Sequence, residues 1–224
     1  MSTKIYLVED EENLNRLLTS YLEKEGWNVK SFLTGNAAQK AIKDSPKLWI
    51  LDIMLPDIDG YQLIGEIKEC SPQVPVIFIS ARDADLDRII GLEKGSDDYL
   101  AKPFSPRELV IRTKKLLKRV YDDKNIKDRS TTYNSYIIYQ DKRLVTDSNK
   151  ESIELTSKEF DLFCYFLENM EQALSREQIL NNVWDNDYFG TDRVVDDLIR
   201  RLRKKLPNLN IETIYGYGYR LVRP

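Results

Sequence analysis

The 224-residue chain contains no histidine. That absence removes the commonest general base near neutral pH and the commonest transition-metal ligand, so any chemistry rests on carboxylates, lysines and hydroxyls. Cysteine is almost absent as well. Cys70 and Cys164 stand far apart, which indicates neither a disulfide framework nor a zinc motif, and both read as ordinary helix residues. No apolar run approaches the roughly 20 residues that span a bilayer, and the strand-like start MSTKIYLVED is too short for a signal peptide. A cytoplasmic protein without a membrane partner is expected. An excess of either charge is also lacking: 34 basic and 37 acidic residues leave −3, divided as −1 up to Tyr121 and −2 after it. Overall charge therefore gives no argument for nucleic acid; its local distribution says more.

What is present is a composition of 42% hydrophobic and 32% charged residues without a low-complexity tract, which reads as soluble and globular. The length suits two domains of about 100 to 120 residues each. In residues 1–121, short apolar runs (KIYLV, WNVKSFL, LWILD, VPVIFIS, DYLAK) alternate with amphipathic segments. Undiluted apolar strands alternating with helices predict a parallel sheet covered on both faces, of five strands and five helices. The last of these helices runs from Pro106 to about Tyr121, opened by Ser105 as N-cap and Glu108 as capping-box partner.

The polar run DDKNIKDRST, residues 122–131, has lost the apolar period and reads as a linker. Short strand-like pieces follow (SYIIY, RLV, SIEL). Next come a helix opened by Thr156 with Glu159, a second opened by Ser175 with Gln178, a third from about Arg193 to Leu206, and the Gly-turned hairpin NIETIYGYGYRLV. Residues 132–224 thus predict an α+β winged helix-turn-helix domain.

The run LWILDIMLPDIDG places a carboxylate, Asp52, inside an otherwise apolar stretch, where a charge needs a partner or a task. In a doubly wound sheet the functional crevice lies beyond the carboxyl ends of the strands. Glu9 and Asp10, Asp52, Ser80 and Lys102 fall at those ends. Clustered carboxylates repel unless a cation neutralises them, and oxygen-only ligation suits Mg²⁺. Asp52 could then act as a nucleophile toward a phosphoryl group, with Lys102 and Ser80 meeting its oxygens. Taken singly, an acid run near a helix start is more often a set of dipole partners, and Ser80, Lys102 and Tyr99 have equally ordinary readings. Their convergence on one sheet edge favours the site.

These motifs (VEDE, LDIMLPDIDG, FISA, GSDDYLAKPF) resemble the receiver domains of two-component response regulators, across the whole of residues 1–121. The later motifs (LTSKEFDLF, SREQIL, VVDDLIRRLRKKL, TIYGYGYRL) resemble the winged-helix effector domain of the OmpR/PhoB subfamily. The overall sequence further resembles a secretion-stress response regulator of Gram-positive bacteria. The resemblance implies a flavodoxin-like sheet of order 2-1-3-4-5, Asp52 as phosphoacceptor, and Mg²⁺ held by Glu9, Asp10, Asp52 and the Met54 backbone carbonyl. It makes Ser80 and Tyr99 a switch pair and Lys102 the phosphoryl-contacting lysine, with a cis Lys102–Pro103 bond. It also implies a dimer face on the fourth and fifth receiver helices, pairing Arg88 with Glu108, Asp98 with Arg112 and Asp97 with Arg119.

In the third helix of the second domain, Val195, Leu198, Ile199, Leu202 and Leu206 form the apolar face, while Arg193, Arg200, Arg201, Arg203 and Lys204 lie elsewhere. Such a basic run is usually just a solvated face, but with the wing and Arg220 it reads as a DNA interface. Three positions depart from the family pattern. Leu198 stands where many members have His, Tyr215 replaces a frequent wing Arg, and Asp197 is an acid at a commonly apolar position, neutralised by Arg193 or Arg201 four residues away.

The function implied is a transcription regulator, not an enzyme beyond Mg-dependent self-phosphorylation and slow autodephosphorylation. Its partners would be a sensor histidine kinase, promoter DNA with repeated half-sites, RNA polymerase and, when phosphorylated, a second copy. Haloacid-dehalogenase-type phosphatases also form an aspartyl phosphate, but they place a second Asp where Met54 stands. The alternative is a winged-helix regulator that binds DNA independently of phosphorylation.

Overall fold

The computed structural model describes residues 2–81, 94–121, 130–184 and 193–224. The chain forms two compact units, Met1–Asp122 and Asp123–Pro224. The linker expected at 122–131 lies outside the described residues except for Ser130 and Thr131. These two residues pair with Tyr139 and Ile138 and belong to a strand, because the hairpin register runs two residues past the loss of apolar period.

In the first unit, strands β1 (Lys4–Val8), β2 (Asn28–Phe32), β3 (Leu48–Asp52), β4 (Val76–Ser80) and β5 (Asp98–Ala101) form a parallel sheet of order β2-β1-β3-β4-β5. This is the doubly wound order expected. The inner strands β3 and β4 are buried along their whole length, so both faces need apolar side chains. Alternate residues serve opposite faces. Tyr6, Val8, Trp49, Leu51, Val76 and Phe78 pack with Leu63, Ile64 and Ile67 of helix Gly60–Cys70. Ile5, Leu7, Leu48, Ile50, Ile77 and Ile79 pack with Leu18 and Leu22 of helix Glu12–Glu23 and with Leu109 and Leu116 of helix Pro106–Tyr121. Each such side chain contributes about 1.5–3 kcal/mol on burial, enough to hold polar groups at the strand ends. The helix expected around Ile89, Ile90 and Leu92 lies outside the described residues.

Ser105 caps helix Pro106–Tyr121 through Oγ, which accepts from Arg107 N at 3.3 Å. Glu108 does not complete the expected capping box by the contacts seen; its Oε1 accepts from Arg112 Nε at 3.0 Å and Nη2 at 2.9 Å. A guanidinium one turn away offers a charged, two-donor partner in place of one backbone N–H.

The second unit opens with an antiparallel sheet, β6 (Ser130–Tyr133), β7 (Tyr136–Tyr139), β8 (Leu144–Thr146) and β9 (Ser152–Ile153). Helices Ser157–Glu168, Arg176–Trp184 and Arg193–Lys205 follow, and a second sheet has order β10-β12-β11. In that sheet β11 (Ile211–Ile214) and β12 (Gly218–Leu221) form the wing, and the short β10 (Leu174–Ser175), which the sequence reading did not foresee, pairs with β12. Gly218 permits that pairing, since a Cβ there would stand 2.1 Å from Leu174 O. Both expected capping boxes form. Thr156 Oγ1 accepts from Glu159 N while Glu159 Oε2 accepts from Thr156 N, and Ser175 and Gln178 exchange the same pair of bonds.

Candidate functional sites

Strand β3 ends at Asp52, a residue only 3% exposed. An ionised carboxylate at that depth must be hydrogen-bonded and paired. Its Oδ1 accepts from Met54 N at 2.8 Å, and its Oδ2 lies 2.6 Å from Lys102 Nζ. Lys102 follows β5, and its ammonium also reaches Glu9, at 2.9 Å from Oε1 and 2.8 Å from Oε2. Glu9 is fully buried just beyond β1, and Glu11 N adds a weak contact to its Oε1 at 3.4 Å. Burial pushes the Glu9 carboxyl above the ordinary carboxylate range; the Lys102 hydrogen bond opposes this and the Asp52 charge adds to it. Burial by itself would lower the Lys102 ammonium, but the hydrogen bonds and charges of Asp52 and Glu9 together outweigh it and hold the group above its usual range.

Asn15 secures the Glu9 backbone by donating to Glu9 O at 2.9 Å and to Phe32 O at 3.0 Å, which fixes the end of β1 to that of β2. The loop after Asp52 is held equally firmly. Asp57 accepts from Gly35 N at 2.9 Å and Asn36 N at 2.8 Å, and Gly60 packs so closely that a Cβ there would stand 2.5 Å from Asp52 O. The Asp57 interaction carries no signal in local periodicity, because its partners lie more than 20 residues earlier.

Ligand oxygens of Glu9, Asp10 and Asp52 lie within 4.8 Å of one another, Asp10 being the exposed member. This is an all-oxygen set of the kind a hard divalent cation takes, and two buried carboxylates sharing a single ammonium leave negative charge for it to neutralise. An open cleft of about 400 Å³ beside it is lined by Asp10 and residues 53–59, with the Met54 side chain 52% exposed at its mouth. Ser80 is buried at the end of β4, and Tyr99 of β5 is buried in the core cluster that includes Phe78. The Lys102–Pro103 peptide is cis.

Two of the three charged pairs expected across a dimer are also met within the single chain. Arg112 Nη1 lies 3.1 Å from Asp98 Oδ1, and Arg119 Nη2 lies 3.8 Å from Asp97 Oδ1. Asp97 is buried, accepting from Val76 N at 3.0 Å and Lys68 Nζ at 3.1 Å, so it holds helix Gly60–Cys70 to the sheet. Arg88 lies outside the described residues.

In the second unit, helix Arg193–Lys205 buries Val194, Val195, Leu198, Ile199 and Leu202, with Leu206 just beyond its end. Arg193, Arg200 and Lys204 are exposed along its outer side. Arg203 turns instead toward the wing, donating to Ile211 O at 2.7 Å and Thr213 Oγ1 at 3.1 Å, with its guanidinium over the Tyr219 ring. This is the flank of the helix, beside the outer side that carries Arg193, Arg200 and Lys204. Arg220 pairs with Glu212 across the wing at 2.7 Å. Asp196 joins the preceding helix to the wing, accepting from Arg176 Nε and Tyr219 Oη, both at 2.7 Å. Asp197 is neutralised by Arg200 and Arg201; the sequence reading proposed Arg193 or Arg201, and Arg200 one turn on supplies the other partner. At the wing turn Tyr215 is 94% exposed.

Comparison with known proteins joins the two units. Residues 5–114 match the response regulator receiver domain, and residues 149–221 match the C-terminal domain of transcriptional regulatory proteins. The chain is 60% identical over 223 residues to the transcriptional regulatory protein CssR of Bacillus subtilis, covering 99% of each chain. It resembles the solved structure of response regulator DrrB, an OmpR/PhoB homolog from Thermotoga maritima, at 32% identity and TM-score 0.53 over 99% of this chain and 100% of that one. A RitR mutant matches over the full length of both chains at 26% identity and TM-score 0.76.

Proposed function

The chain belongs to the OmpR/PhoB-type two-component response regulators, which act in transcription regulation, and from that membership we propose that a sensor histidine kinase phosphorylates it on Asp52. Receiver domains generally use Mg²⁺ and are generally not enzymes, and a receiver joined to a DNA-binding domain implies a histidine kinase and promoter DNA as partners. The observation that carries the proposal is the placement of Lys102 between Asp52 and Glu9, with Asp10 beside them.

Asp52 is oriented for nucleophilic attack by the Met54 N–H on one oxygen and the Lys102 ammonium on the other. As an Asp52 oxygen bonds to phosphorus, the bond from phosphorus to the donor nitrogen breaks and the donor keeps the electron pair. Lys102 is near enough to follow the charge onto the phosphoryl oxygens. Glu9, Asp10, Asp52 and the Met54 carbonyl would hold Mg²⁺, which supplies charge neutralisation when bound. Self-phosphorylation from a small phosphodonor and slow loss of the phosphoryl group belong to the same proposal.

The new charge acts on a two-state surface through Ser80 and Tyr99. A phosphorylated dimer would use the face bearing Arg88, Asp97, Asp98, Glu108, Arg112 and Arg119, some of whose charges must exchange the intrachain partners described above. The winged helices then bind repeated half-sites, with helix Arg193–Lys205 in the major groove and Arg193, Arg200 and Lys204 toward the DNA, and the bound dimer meets RNA polymerase. We place this activity in the cytoplasm, in a secretion-stress pathway. Among the described residues, no helix is long and apolar enough to cross a membrane.

Acetyl phosphate with Mg²⁺ should load one phosphoryl group per chain as a base-labile acyl phosphate. Loading that is undiminished in Asp52→Asn would refute the assignment.

A further inference from the structure

Four side chains from three segments of the second unit form one cluster: Arg176 at the start of its helix, Asp196 and Arg203 on helix Arg193–Lys205, and Tyr219 on β12. An acid in the first turn of a helix ordinarily serves only the helix dipole, and Asp196 stands there. Its Oδ1, however, accepts from Arg176 Nε and from Tyr219 Oη, both at 2.7 Å, so one oxygen joins the preceding helix to the wing. The centroid of the Tyr219 ring lies 5.1 Å from the Arg176 guanidinium and 5.7 Å from that of Arg203. Positions 196 and 203 are about two turns apart on one side of the helix, and Arg203 also donates to Ile211 O and Thr213 Oγ1 of β11. Both wing strands are therefore fastened to the same helix.

Backbone bonds reinforce the arrangement. Arg176 N donates to Tyr217 O at 3.2 Å, and Leu174 and Ser175 pair with Tyr219 and Gly218. Tyr219 is buried, and burial together with the Asp196 bond raises its phenol above the ordinary range, so the hydroxyl keeps its proton and donates at neutral pH. The wing turn beyond these anchors is bare, with Tyr215 and Tyr217 both exposed.

A helix in the major groove and a wing beside it meet different base pairs, which follow one another about 3.4 Å apart along the axis. A freely hinged wing would follow its own base pairs and would have to be ordered at each encounter. A fastened wing forms one template with the helix, at a fixed offset. The charge-assisted bond to Asp196 and the two guanidinium contacts on one ring are directional and partly desolvated, which suits them to hold that offset.

We propose that Asp196 and Tyr219 are positioning residues for DNA recognition, locking the wing to helix Arg193–Lys205 so that each half-site is read with one fixed spacing between the bases met by the helix and the DNA met by the wing. This rests on the DNA-binding reading above, with both elements on the same duplex. Spacing within the half-site then determines specificity alongside base identity.

The test uses the full-length protein on a duplex selected from a random-sequence pool and mapped by hydroxyl-radical footprinting. Protection that Tyr215→Ala removes marks the wing contact, and the protection that survives marks the helix contact. One base pair is then inserted between the two, and wild type is compared with Tyr219→Phe, Asp196→Asn and the double variant, each first melted thermally. Tyr219→Phe removes a single hydroxyl and keeps the ring contacts, so it carries the test should Asp196→Asn melt early. The insertion should cost wild type roughly tenfold in affinity and each variant about threefold or less, with the double variant like the single ones. Random-duplex affinity and its salt slope should match wild type in all of them, because the lock adds no phosphate contact. A full tenfold penalty in variants that melt like wild type would overturn the inference and leave the cluster a purely fold-stabilising one. Protection unchanged by Tyr215→Ala would overturn it together with the wing's part in the interface, while the helix's part would stand. If wild type selects and protects no duplex, the DNA-binding reading itself falls, and the lock's role with it.

Discussion

Lys102 Nζ stands 2.6 Å from Asp52 Oδ2 while also lying 2.8 Å from Glu9 Oε2, so one ammonium at the end of β5 serves two buried carboxylates from the ends of β1 and β3. The three groups come from positions 9, 52 and 102, and only the assembled sheet brings them together.

Lys102→Ala leaves those carboxylates facing each other. The receiver should lose about 2–4 kcal/mol without divalent ions, since removing one partner of a buried pair leaves uncompensated charge. Mg²⁺ should raise the melting temperature of this variant more than that of wild type. Thermal melts with Mg²⁺ and with EDTA check this, and an equal metal response in both proteins would count against the acidic cluster as a cation site.

Asp97 is buried against Lys68 and the Val76 N–H. Asp97→Ala should therefore destabilise the receiver by about 3 kcal/mol, whereas Arg112→Ala, whose side chain is partly exposed, should cost about 1 kcal/mol or less. Denaturant melts of both variants distinguish a folding defect from a dimerisation defect. Of the two, Arg112→Ala is the informative probe of the dimer face.

Gly60→Ala would drive a Cβ to 2.5 Å from Asp52 O and 2.7 Å from Ile53 Cα, both backbone atoms. The receiver should lose about 1–3 kcal/mol, and acetyl phosphate loading should slow as the Asp52 loop shifts. A variant with unchanged melting and loading would show that the loop gives way freely.

Burial pushes the Cys164 thiol up to about 12, with Asp161 adding to the rise, while Cys70 is exposed. The neutral thiol is thus the native form of Cys164. Its contribution to stability holds below about pH 9, the ordinary thiol value, and is lost as pH rises toward 12. A thiol reagent at pH 8 should modify one cysteine per folded chain and the second only in denaturant. Two equally fast reactions would contradict this.

The parallel sheet was legible because LWILD and VPVIFIS are apolar runs that need burial on both faces, whereas its strand order was implied only by the family resemblance. The acid cluster was legible because strand ends are where a doubly wound sheet places its site. Interactions that join distant segments were not legible. Nothing local marks Asp57 as the partner of Gly35 and Asn36, and β10 is too short to show a period. Arg203 illustrates the same limit: helical spacing puts it near the basic face, but the Ile211 carbonyl and the Tyr219 ring draw it to the wing. Asp97 and Arg112 likewise meet partners in distant segments of their own chain, Lys68 and Asp98, which no local period announces.

The central claim is that charge added at Asp52 controls DNA binding. It is tested most directly by measuring self-association and affinity for a selected duplex, with and without beryllofluoride and Mg²⁺, in wild type and Asp52→Asn. Beryllofluoride should promote dimerisation and raise DNA affinity at least tenfold in wild type, and should change neither in the variant. Equal affinity in all four conditions would instead identify a regulator that binds DNA independently of phosphorylation.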